Sequence, residues 1–73
     1  MGSYSWNENA THRMNCQVAE GLKQTQISSS STAAQVRTAE ATYFRTCLAS
    51  AKTNNVSTSP FVTALYELGF GGQ

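Results

Sequence analysis

Aspartate is missing from this chain, and proline, tryptophan and histidine occur once each. Charged residues are only 12% of the sequence and sum to a net charge of +1. An electrostatic nucleic-acid binder needs a dense Lys/Arg surface. Here the five basic residues, Arg13, Lys23, Arg37, Arg45 and Lys52, stand singly along the chain, so no nucleic-acid partner is expected. The same scatter leaves no basic amphipathic face for a membrane surface. No apolar stretch is long enough to cross a bilayer, and no secretory leader is visible. Internal repeats and a Cys-x-x-Cys redox motif are also missing.

What is abundant is uncharged polarity. Ser, Thr, Asn and Gln together supply 28 of the 73 residues. Solubility that rests on such groups leans towards exported proteins. Met1-Gly2-Ser3 reads as an expression remnant, which leaves room for a leader or a lipid anchor on the native precursor. Gly2 does not make a myristoylation signal, because Trp6 stands where that motif wants Ser or Thr.

Seventy-three residues allow one small domain with a thin core, and such domains usually carry a staple. The two cysteines supply a candidate. Cys16 and Cys47 lie almost symmetrically about the run Ser28-Ser29-Ser30-Ser31-Thr32. A helical hairpin that turns in this run brings the two thiols together. The expected pairing closes a ring of about 32 residues, for which the chain-entropy model gives about 3.5–4 kcal/mol.

Periodicity predicts three helices. The first runs from about Asn9 to Ile27, with Ala10, Met14, Val18 and Leu22 recurring every four residues. Its apolar arc is wide: the Cys16 side is expected against helix two, and the Met14/Val18 side against helix three or the N-terminal aromatics Tyr4 and Trp6. Gly21 is read as making room for a bulky neighbour. The second helix runs from about Ala33 to Lys52, capped by Ser31 or Thr32. Val36, Tyr43, Phe44, Cys47, Leu48 and Ala51 form its buried face. Ser59 followed by Pro60 signals the start of a third helix, over 61–68. Gly69 is placed to stop it in a left-handed conformation, with Phe70 folding back on the last turn. Residues 1–8 are expected to be a flexible segment, 9–70 a single domain and 71–73 a frayed end. The expected fold is all-α: a disulfide-pinned antiparallel hairpin with a short third helix across it.

The register makes a further prediction. Glu40 lies one heptad before Cys47, and Lys23 one heptad after Cys16. In an antiparallel hairpin the two face each other, which predicts an inter-helix salt bridge of about 0–1 kcal/mol if exposed.

Chemistry is harder to find. His12, Cys16 and Cys47 form a trio of metal-ligand types, but Ala51, the residue expected opposite His12, cannot complete a closed four-ligand site. No metal and no cofactor are predicted, and His12 is read as a surface or edge residue. A Cys/His nucleophile would need an exposed electropositive cleft, which a hairpin of this size does not offer. No catalytic residue is therefore assigned, and the chain is read as non-enzymatic. Asn9-Ala10-Thr11 and Asn55-Val56-Ser57 fit the N-glycosylation pattern, with Asn55 the better placed acceptor.

Seven aromatics are generous for so short a chain. The third helix carries apolar residues on more than one side, so Phe61, Tyr66 and Phe70 are the candidate contacts for a protein partner. These features predict a small exported binding protein, periplasmic or lipid-anchored, serving as an inhibitor, immunity or escort factor. The alternatives are a secreted effector or toxin-like helical peptide, and a reduced cytosolic subunit of a larger assembly.

Overall fold

The computed structural model describes residues 9–70. The expectations for residues 1–8 and 71–73, including the roles of Tyr4 and Trp6, lie outside the described residues. Those described form three helices and no strand: α1 (Ala10–Thr25), α2 (Ala33–Thr53) and α3 (Ser59–Leu65). The all-α hairpin with a short third helix is thus the observed architecture. α2 is the central element, with α1 and α3 both packed on it.

Local chemistry sets the boundaries. Asn9 caps α1, its side-chain oxygen accepting from the His12 amide at 2.9 Å. The Ser run forms the turn with its own hydroxyls: Ser31 Oγ accepts from the Ser28 amide, and Ser28 Oγ lies 2.9 Å from Ser30 Oγ. Thr32 then opens α2 with a reciprocal capping box. Its hydroxyl accepts from the Gln35 amide at 3.1 Å, and the Gln35 side chain accepts from the Thr32 amide at 2.9 Å.

α2 ends at Asn54 with Asn55 in the left-handed region (φ 58°). The Val56 amide reaches back to the Ala51 carbonyl at 2.9 Å. This is a six-to-one helix stop, with asparagine where glycine is more usual. Val56 packs against the core, as the hydrophobic partner of such a stop does.

α3 starts one residue earlier than the Ser-Pro signal implies. The cap is Thr58, whose carbonyl accepts from Phe61 and Val62, and Ser59 makes the first helical residue. After Leu65 the chain continues as one wider turn, Tyr66–Phe70, which ends through Gly69 at φ 92°. The left-handed stop is where the sequence places it. Phe70 also reaches α2. Its ring lies under two α2 guanidinium groups, 5.3 Å from Arg37 and 4.9 Å from Arg45, contacts worth roughly 0.5–1 kcal/mol each at exposed sites.

Cys16 and Cys47 are disulfide-bonded, with Cα atoms 5.2 Å apart. Around them lies the core: Ala51 and Phe61, flanked by Tyr43, Phe44, Leu48 and Val56. Of the face predicted for α2, Cys47 and Ala51 are buried and Val36, Tyr43, Phe44 and Leu48 half-buried, while Ala39, Ala41 and Ser50 are buried beside it. On α1 the Cys16 side faces α2 as expected, but the Met14/Val18 side is largely exposed. Met14, Val18 and Leu22 are 61%, 57% and 59% exposed, while His12, Cys16 and Ala19 are buried. The cause is the closeness of the two helices at the disulfide. A 5.2 Å Cα separation admits only small side chains between the backbones, so the larger aliphatics are turned outward. Gly21 likewise meets no neighbour at all, so it does not make room for one.

Candidate binding groove

α3 covers one side of the hairpin and leaves the other open. On the open side, α1 and α2 enclose a groove of about 540 Å³. One wall is the outward stripe of α1, where Val18 and Leu22 stand as a ridge with Met14 beyond its rim. The other wall is a flat face of α2 made of Ala39, Thr42, Thr46 and Ala49, continued by Thr53. These threonines are less polar than their composition suggests. Thr42, Thr46 and Thr53 each donate the hydroxyl proton to the carbonyl four residues back, at 3.0–3.1 Å. The donor that would need water is thereby spent within the helix.

A polar cluster closes one end of the groove. Ser50 Oγ accepts from Asn15 Nδ2 at 2.9 Å and from Asn54 Nδ2 at 3.3 Å. Two amide donors fill its lone pairs, so its own proton points to His12 Nδ1, 2.8 Å away. His12 must then be the neutral tautomer with the proton on Nε2, and that nitrogen sits 3.7 Å from Cys16 Sγ. The ring also meets Phe61 edge-on, with centroids 5.7 Å apart and planes at 74°.

His12 is completely buried, which corrects its reading as a surface histidine. Burial disfavours the imidazolium and pulls its pKa below the ordinary 6.5. At pH values between the folded and unfolded pKa, the unfolded chain binds a proton that the folded chain does not. Stability is therefore full above about pH 6.5 and falls as the pH drops towards the folded value. Thermal melts from pH 7.5 to 5 should show Tm falling, with a shallower slope in His12→Gln. Equal slopes for the two proteins would mean that His12 is not the group responsible.

At the other end of the groove, Lys23 faces α2 about one turn from the predicted level. Its ammonium stands over the Tyr43 ring, 5.0 Å from the centroid, one turn further along α2 than Glu40. The contact the structure gives Lys23 is this cation–π pair rather than the salt bridge. Cation–π contacts and exposed ion pairs are of similar size, each about 1 kcal/mol or less, so losing the salt bridge to the ring costs little.

The sequence-predicted partner contacts separate. Phe61 is 1% exposed and belongs to the core, so it is withdrawn as a partner contact. Phe61 and Leu65 are the two side chains that anchor this short helix to the hairpin. Tyr66 is 71% exposed, and Phe70 is half-buried beneath the two arginines. The more extensive apolar surface is on α1 and α2. The repeated Thr at four-residue spacing beside alanines was its signal in the sequence.

Among the described residues no group of three or more His, Cys, Asp or Glu side chains is placed to hold a metal ion. Both cysteine sulfurs are bonded to each other. Asn9 is engaged at the cap of α1, whereas Asn55 is exposed at the end of α2. No described helix is long and apolar enough to cross a membrane. No protein family, curated protein or solved structure matches the chain.

Proposed function

We propose that this chain is a small exported, non-enzymatic binding protein that acts by seating a helix of a protein partner in the α1/α2 groove. The observation that carries the reading is the exposure of Val18 and Leu22 beside a flat Ala/Thr face. That is the layout of helix-in-groove recognition, in which aliphatic anchors of an amphipathic helix dock between two others. The Cys16–Cys47 bond supports an oxidising compartment, periplasmic or extracellular. A lipid anchor on the precursor is compatible with this placement. An inhibitor, immunity factor or escort protein would each work through such a contact. The Ser50 hydroxyl, the nearest thing to a nucleophile beside a histidine, has its lone pairs occupied and lies buried, which supports the non-enzymatic reading.

The test is a titration of amphipathic helical peptides, bearing aliphatics at i, i+4 and i+7, into isotope-labelled protein. Binding should shift the amide resonances of Val18, Leu22, Thr42 and Thr46. Leu22→Glu should abolish it while leaving the fold intact, because the side chain is already largely in water. Peptides that shift only α3 resonances, or that bind L22E equally well, would place the contact elsewhere.

A further inference from the structure

The two walls of the groove are complementary to each other as well as to a foreign helix. The α1 wall is a ridge, Val18 and Leu22; the α2 wall is flat, Ala39, Thr42, Thr46 and Ala49. The pairs His12–Ser50, Cys16–Cys47 and Lys23–Tyr43 show that the helices run antiparallel and fix which residues share a level. Val18 stands level with Thr46, and Leu22 with Thr42. A two-fold axis parallel to the helices lays α1 of one copy on α2 of the other. Each ridge then meets a flat wall at its own level, and every neighbouring pair of helices is antiparallel.

We propose that the occupant of the groove is a second copy of this chain, forming a four-helix bundle from the α1 and α2 of both protomers. The inference rests on the groove reading above and names its partner. Three observations favour a copy over a foreign chain. First, an isologous contact needs the same patch to be self-complementary, and here ridge and flat wall occur side by side. Second, the groove walls carry only one charged side chain, Lys23, already held on Tyr43. Two like faces therefore meet without a facing row of like charges, whereas a partner chosen by charge would find nothing to read. Third, the threonine protons and the Ser50 hydroxyl are already used inside the protomer. Closing the interface strands few polar donors. A stable contact of standard size buries about 800 Å² per partner, roughly one-sixth of the 4762 Å² that the protein exposes.

Sedimentation equilibrium of the oxidised protein, from about 10 µM to 1 mM, tests this. The expected result is a mass approaching twice the 7.9 kDa of the chain. Leu22→Glu and Thr46→Lys should each return it to a single chain with an unchanged far-UV circular dichroism spectrum. Val62→Glu, which places the same charge on an exposed site of α3 outside the groove, should stay dimeric. A single-chain mass throughout the range overturns the dimer. So does a dimer that survives L22E, or one that V62E dissociates equally. The peptide titration is read separately: binding of a foreign helix to a strictly monomeric protein would retain the groove and reject the second copy.

Discussion

Replacing both cysteines by alanine is expected to lower the unfolding free energy by about 3.5–4 kcal/mol, the loop-closure value for a ring of this size. The bond joins residues 31 apart and ties α1 to α2 at mid-length. Without it, the unfolded chain gains the conformations that the ring denies it. The folded state has little with which to compensate. Between α1 and α2, the buried contacts are chiefly Ala19, Ala39, Cys16 and Cys47, with His12 and Ser50 in hydrogen bonds. Small side chains bury little apolar area, at roughly 25 cal/mol per Å². A domain of 73 residues has a total stability of roughly 4–11 kcal/mol at the usual value per residue. Loss of the bond therefore removes about a third or more of it, and at the bottom of that range leaves folded and unfolded chains about equally populated. Urea unfolding of the oxidised protein, the reduced protein and the double variant would measure the difference. The reduced wild type and the variant should agree. A shift of less than about 1 kcal/mol would show that the helix contacts hold the hairpin by themselves.

The second large effect is expected at Phe61. It is 1% exposed, lies edge-on to His12, and packs into the cluster with Cys16, Cys47 and Ala51. Phe61→Ala should cost about 3–5 kcal/mol. The mode of failure matters as much as the size. α3 has only seven residues, far too few to be helical alone. Its other buried anchor is Leu65. Removing the ring should undock α3 and its following turn while the disulfide keeps α1 and α2 paired. Hydrogen exchange on F61A should thus show α3 amides exchanging freely and those of α2 still protected. Protection lost evenly over all three helices would mean that α3 folds as one unit with the hairpin. Tyr66→Ala, at a side chain 71% exposed on the same segment, should fall within about 0.5 kcal/mol of wild type. Because Phe61 touches the disulfide cluster, the Phe61 and cysteine effects should not add.

Much of the frame was legible in the linear order of residues. The hydroxyl run, the Thr32 cap, the Asn pair after α2 and the left-handed stop at Gly69 are local devices. Each acts within four or five residues, so each can be read without knowing the fold. The disulfide was legible for a related reason. With only two cysteines and one central turn, the hairpin has one register that joins them.

The side chains that would meet a partner were not legible in the same way. α1 carries two stripes, Met14/Val18/Leu22 and His12/Cys16/Ala19, and its wide apolar arc predicts that both the Cys16 side and the Met14/Val18 side are covered. The helices are drawn too close at the disulfide for branched or long side chains to enter, so the second stripe is the buried one. A histidine is then acceptable inside because Ser50, 38 residues away, gives its ring nitrogen a partner. The choice among Phe61, Tyr66 and Phe70 was settled in the same way. All three are aromatic, yet Phe61 is the one buried against both helices, on His12 and Cys16 of α1 and Cys47 and Ala51 of α2. The sequence by itself determined where the helices start, turn and stop, because capping and turn chemistry are short-range. Tertiary structure alone decided which face of each helix is covered, because that depends on the distance between backbones, and here the Cys16–Cys47 bond sets that distance.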